Sequence, residues 1–170
     1  SLTMEYAPTA DSIVKDYALV TDVAAVHALC AEIRTAGRVA LRVLVDDSSA
    51  MRAGIVGLSL STQARAARYI PMRHAGMHTG PQLTVSEALD ALKPVLEDGA
   101  IEKLGHDLKF DAIVLARHGV DLRGLGLDTM LASYLLDATR SGHPLEGTAL
   151  EHVGYKALTE EDLCGRGAKA

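Results

Sequence analysis

The chain has no excess of positive charge. It carries 17 lysines and arginines against 22 aspartates and glutamates, a formal net charge of −5. Cationic contacts to phosphate supply most nucleic-acid affinity, so any grip on DNA is expected to be weak or to depend on neighbouring domains. Arg65, Arg68 and Arg73 make a local basic cluster that reads as a solvated loop edge. Cysteine is scarce as well. Cys30 and Cys164 lie far apart, and neither has a Cys or His at zinc-finger spacing. This argues against a disulfide framework and a thiolate metal site, and fits a cytoplasmic location. No run of about 18 apolar residues is present, so no membrane span or membrane partner is expected. No basic segment leads into an apolar one near Ser1, so no secretory leader is expected. Internal repeats, low-complexity tracts and dividing linkers are absent too.

What remains is an ordinary globular composition, 48% hydrophobic and 23% charged over 170 residues, enough for one domain with a sizeable core. Tyr17-Ala18-Leu19-Val20 reads as an edge strand. Val23, Val26, Cys30 and Ile33 recur at helical spacing, which predicts a helix from about Asp22 to Ala36 stopped by Gly37, with Cys30 as a small core residue. Residues 39–45 are nearly all apolar and predict a strand covered on both faces. Strands at 54–61 and 66–72 follow after short links, suggesting an antiparallel meander. The loop His74 to Gly80 reads as exposed.

Thr84-x-x-Glu87 is a capping box opening a helix that Pro94 should kink or shorten. A short strand at 101–104, a helix at 108–118 and a last strand at 125–127 follow. Asp128 is expected to cap a helix over 129–137. The tail beyond Arg140 carries weaker helical patterns near 145–153 and 160–164. Strands first, then alternating helices and short strands, define a mixed α/β plan of three layers.

Three stretches carry a resemblance when taken in order: Val56-Gly57-Leu58-Ser59, Leu108-Lys109-Phe110-Asp111, and Asp128-Thr129-Met130-Leu131-Ala132-Ser133-Tyr134-Leu135-Leu136. Together they resemble the 3′→5′ proofreading exonuclease domain of bacterial family-A DNA polymerases. Leu163-Cys164-Gly165-Arg166-Gly167 is also similar to a Gly-Lys-Gly stretch of that family. The resemblance implies a ribonuclease H-like mixed sheet flanked by helices over 17–170. It leaves 1–16 as an N-terminal extension and makes the chain a C-terminally truncated piece of a longer polymerase.

Such exonucleases resemble other two-metal nucleases, in which two divalent ions about 3.5–4 Å apart hold the scissile phosphate. The family supplies acids as Asp-x-Glu on the first strand, one closing a Leu-Lys-Tyr-Asp motif, and one in a late Tyr-x-x-x-Asp motif. Residues i and i+2 of a strand point to one face, so Asp-x-Glu aims two carboxylates into one pocket. The ungapped match from Val39 to Leu60 puts Arg42 and Leu44 at those positions. Leu44 cannot coordinate a cation, and Arg42 is a permanent positive charge that repels a metal or takes its place. Asp111 carries over as the surviving acid, Asp107 stands where the family has Asn, and no Tyr-x-x-x-Asp follows Asp128.

The resemblance therefore implies a degenerate site, no functional catalytic residue and no cofactor in this domain. It further implies a structural part beside the polymerase domain of the same chain, in a protein that replicates or repairs DNA using Mg²⁺. An Arg42–Asp111 ion pair is expected to replace the metal bridge, with Asp107 and Asp111 as weak candidates for a residual ion site. Asp107 otherwise caps the helix it precedes. The alternative is an active metal-dependent 3′→5′ exonuclease related to ribonuclease D, drawing its acids from Asp46, Asp107 and Asp111. Asp46 and Asp47 otherwise belong to the loop after the strand. His74, His78, His106, His118, His143 and His152 show no metal-ligand spacing and read as surface or hydrogen-bonded residues, with His106 set apart because it adjoins the pocket of the degenerate site. Ser59 and Ser133 lack a nucleophile motif, and Tyr134 reads as core.

Overall fold

The computed structural model describes residues 14–75 and 80–158. Six strands and five helices are found among them: β1 (Asp16–Leu19), α1 (Val23–Ala36), β2 (Arg38–Val45), β3 (Ile55–Gln63), β4 (Ala66–Pro71), α2 (Val85–Leu96), β5 (Glu102–Gly105), α3 (Leu108–Arg117), β6 (Leu125–Asp128), α4 (Thr129–Leu136) and α5 (Leu145–Val153). Lys15–Asp128 make one compact unit, and the residues from Thr129 onward belong to a second.

The first unit is built on one mixed sheet of order β1-β4-β3-β2-β5-β6. Strands β2, β3 and β4 form the expected antiparallel meander, while β1, β5 and β6 join in parallel. α1 starts on Asp22, whose carboxylate accepts from the Ala25 amide at 2.8 Å. It ends on Gly37 at φ +66, the left-handed conformation that glycine adopts without a Cβ penalty. Val26, Leu29, Cys30 and Ile33 are its buried stripe. The Cys30 thiol meets the Ala91 carbonyl of α2 at 3.4 Å, and burial pushes its pKa up, as befits a core residue.

α2 opens with the expected capping box, in which the Glu87 amide donates to Thr84 Oγ1 and the Thr84 amide donates to Glu87 Oε2. Pro94 lies inside it. The helix runs on to Leu96, because Val95 and Leu96 are fully buried and hold the last turn against the proline's missing donor.

One expectation about β2 is corrected. Val39, Leu41 and Val43 are buried, but the alternate residues Arg38, Arg42 and Leu44 are exposed, so only one face is fully covered. The exposed face continues across the sheet in register. Arg42 pairs with Ser59 and Ser59 with Tyr69; Leu44 pairs with Gly57. A Cβ on Gly57 would lie 2.1 Å from Tyr69 Oη, so the glycine makes room for that ring.

Asp128 makes a contact that the sequence did not suggest. It closes β6, and its carboxylate reaches the start of α3, accepting from the amides of Asp107 at 3.1 Å and Leu108 at 2.7 Å. Parallel β6 delivers the side chain to α3. At the other end of α3, Arg117 donates to the Ala53 and Ala50 carbonyls of the β2–β3 loop. The helix is therefore pinned at both ends.

In the second unit, α5 matches the helix expected near 145–153, while the one near 160–164 lies outside the described residues. Tyr134, expected in the core, is about half exposed. Its ring meets His143 edge-on, and His143 hydrogen-bonds buried Ser133 at 2.8 Å.

Removing the β6 carboxylate tests the pinning of α3. Asp128→Ala leaves two helix-terminal amides without their charged acceptor and is expected to lower unfolding free energy by about 2 kcal/mol. Urea denaturation would measure it. A loss under about half a kcal/mol would show that α3 does not depend on this strut.

Candidate functional site

The first turn of α3 and the exposed face of β2 meet at one point. Arg42 Nη1 donates to Asp111 Oδ1 at 3.3 Å and to the His106 carbonyl at 3.2 Å, and the guanidinium carbon lies 5.7 Å from the Phe110 ring centre. The ion pair expected from the sequence is thus formed. His106, expected beside this pocket, contributes its carbonyl, while the role of the Phe110 ring was not read from the sequence although Phe110 stands in the very motif that located Asp111. A ring and a carbonyl add contacts that a guanidinium uses well and a metal ion would not need in that form.

The two partners differ sharply in environment. The Arg42 side chain is 47% exposed, whereas that of Asp111 has no exposed surface. Asp111 Oδ2 forms no hydrogen bond. Burial pushes the Asp111 pKa up to about 7; the Arg42 guanidinium and the backbone at Val43 oppose the shift, while Asp107 and Asp128 add to it. Asp107 caps α3 as expected, its Oδ1 accepting from the Phe110 amide at 3.4 Å, and it does so from a left-handed backbone at φ +66. Leu44 lies on the same strand face as Arg42 and is 37% exposed.

The remaining candidates lie elsewhere. Asp46 accepts from the Gly54 amide at 2.6 Å and pairs with Arg73. Asp47 accepts from the Ser49 amide at 2.7 Å and pairs with Arg52. Both are absorbed by the β2–β3 loop and its surroundings. His74 meets the Tyr69 hydroxyl at 2.6 Å, and His118 Nδ1 meets the Val114 carbonyl at 2.8 Å. His78 and Cys164 lie outside the described residues, and His152 is exposed. Arg68 pairs with Asp16, so the Arg65–Arg68–Arg73 cluster is largely neutralised by acids. No group of three or more His, Cys, Asp or Glu suited to a metal occurs among the described residues, and none of their helices is long and apolar enough to cross a membrane.

A mixed sheet with this strand order, and with the start of α3 brought against β2, defines an α/β fold of the ribonuclease H-like exonuclease type. The chain belongs to the family described as DNA polymerase I, ribonuclease H-like domain, whose profile matches residues 42–170. It is 36% identical over 156 residues to a DNA polymerase I of Pseudomonas aeruginosa, covering 91% of this chain and 17% of that protein. A DNA polymerase I of Rhizobium leguminosarum is 31% identical over 89% of this chain and 16% of its own length. The chain thus spans about a sixth of these relatives. Among solved structures, the POL domain of Pol1 from M. smegmatis in complex with DNA primer-template and dNTP superposes with a TM-score of 0.66 at 25% identity, over 82% of this chain and 23% of that one. Trypanosoma brucei RNase D shares the fold with a TM-score of 0.69 at 16% identity, over 89% of this chain and 54% of its own.

The raised Asp111 pKa fixes a sign. The folded protein holds this proton more tightly than the unfolded chain, whose carboxyl titrates near the ordinary value of 3.8. The resulting stabilisation is complete below that value and is lost as pH rises toward about 7. Asp111→Asn is expected to remove a decline on the order of 2 kcal/mol in unfolding free energy between pH 5 and pH 8. Denaturation curves of both proteins at the two pH values would read it, and parallel declines would refute the assignment.

Proposed function

We propose that the chain is the exonuclease-like domain of a DNA polymerase I whose hydrolytic site is vestigial, and that it serves the polymerase domain of the same protein as a structural platform. The observation that carries this reading is the contact of Arg42 with Asp111 at 3.3 Å. A two-metal nuclease needs several carboxylate oxygens converging on its ions. The described residues do not fit that need. Arg42 places a fixed cation against Asp111, Leu44 offers no oxygen, and the carboxylates of Asp107 and Asp128 accept backbone amides. A divalent ion entering here would have to displace a tethered guanidinium from its carboxylate, carbonyl and ring contacts.

The domain on this reading holds no cofactor, and Mg²⁺ belongs to the polymerase site elsewhere in the protein. Contact with DNA is weak or made together with neighbouring domains, consistent with the net charge of −5. The relatives bearing the polymerase name support the assignment to DNA replication or repair.

Two measurements test the proposal. Incubation of the chain with 5′-labelled single-stranded DNA and Mg²⁺ or Mn²⁺ is expected to leave the DNA intact; metal-dependent shortening abolished by Asp111→Ala would make the domain an active nuclease. The double substitution R42D/L44E supplies two acids on the face of Asp111 and is expected to create Mn²⁺ binding at least tenfold tighter than in the unsubstituted chain, read by calorimetry. Equal affinities would mean that Arg42 and Leu44 are not what keeps metal out.

A further inference from the structure

Most arginines of this acidic chain are already engaged. Arg42, Arg52, Arg68, Arg73, Arg123 and Arg140 are ion-paired, and Arg117 holds two carbonyls. Arg34, Arg38 and Arg65 are the described arginines outside these pairings. Two of the three, Arg38 and Arg65, line a single open groove of about 460 Å³. That volume lies in the range of small-molecule sites, roughly 300–1,000 Å³.

The groove lies on the exposed sheet face, at the end where β3 turns into β4. Ala40 pairs with Ser61 and Ala67 with Tyr17, so its floor is built of small side chains in register. Tyr17 stands at one side, 60% exposed, and Gln63 brings an amide. Ser61 Oγ hydrogen-bonds the Gln63 and Ala66 carbonyls at 2.8 and 2.6 Å, which ties the hairpin together. Arg65 sits at its tip at φ +65, a left-handed conformation unfavourable for a side chain with a Cβ.

The nearby acids are directed elsewhere. Asp16 is bound to Arg68 at 2.8 Å. Glu102, the register partner of Arg38, lies over Gly126 of β6, where an added Cβ would fall 2.5 Å from its Cγ. Two guanidinium groups therefore face a flat, small-residue floor beside an exposed phenol. Guanidinium is the side chain best shaped for phosphate, and an aromatic face stacks on a base of any identity.

We propose that this groove binds a nucleotide unit, its phosphate held by Arg38 and Arg65 and its base laid against Tyr17 over the alanine floor. The site is separate from the Arg42–Asp111 contact. Arg38 and Arg42 are four residues apart on one strand, about 13 Å at the usual rise. The proposal holds whether or not the domain hydrolyses DNA.

An NMR titration of the ¹⁵N-labelled 170-residue chain with deoxyadenosine 5′-monophosphate tests it. Binding is expected at one site, with Kd on the order of 0.1–1 mM for an open groove and a ligand of this size, and with shifts centred on Arg38, Arg65 and Tyr17. Arg65→Gly removes the guanidinium while relieving the left-handed backbone, so the fold is kept and the expected tenfold weakening reports charge. Arg38→Gln is expected to weaken binding similarly. Tyr17→Ser should weaken the nucleotide several-fold and leave the affinity for inorganic phosphate unchanged. Binding of a 5′-phosphorylated trinucleotide tighter than the monomer would identify a strand as the source of the nucleotide, and equal affinity a free nucleotide. No shifts up to ~5 mM nucleotide, or binding that survives Arg65→Gly with Arg38→Gln and is lost in Arg42→Leu, would overturn the proposal.

Discussion

A carboxyl group with no surface open to water must be met by a cation, a proton or both. Asp111 is such a group, and the arrangement around it follows from that requirement. Arg42 brings the cation from the neighbouring strand, and the pKa near 7 brings the proton part of the time. α3 presents the carboxyl at a fixed height because Asp128 holds its first amides and Arg117 ties its last turn to the β2–β3 loop. The sheet sets the other side, since strand alternation aims Arg42 and Leu44 at the same space.

The cation in this pocket differs from a metal in one important respect. A divalent ion exchanges with solvent and offers open coordination positions to a phosphate and a water. A guanidinium is bound to its own backbone, its geometry is planar, and here its donors are directed at a carboxylate and a carbonyl beside a ring. It meets the electrostatic need of Asp111. The likeness of the fold to RNase D speaks only to the scaffold.

Much of this was legible in the sequence, for identifiable reasons. α1 and α2 declare themselves through spacing, the Gly37 stop and the Thr84–Glu87 box, all of which are local signals. The Arg42–Asp111 contact could be anticipated because two motifs with known relative placement each kept one residue of a shared pocket. The one-sided burial of β2 could not be read from a run of apolar residues, because it depends on the small side chains of the paired strand. The contact of Asp128 with α3, some twenty residues upstream, exists only once β5 and β6 align in parallel.

Gly57 shows how closely the exposed face is fitted despite its openness. The phenol of Tyr69 lies where any side chain at that position would have to be, and its hydroxyl reaches on to His74. An aromatic ring lodged over bare backbone shields the ladder hydrogen bonds beneath it from water without needing a helix on top. Part of this sheet face can therefore stay open to solvent while a strand at its centre keeps a closely fitted cover.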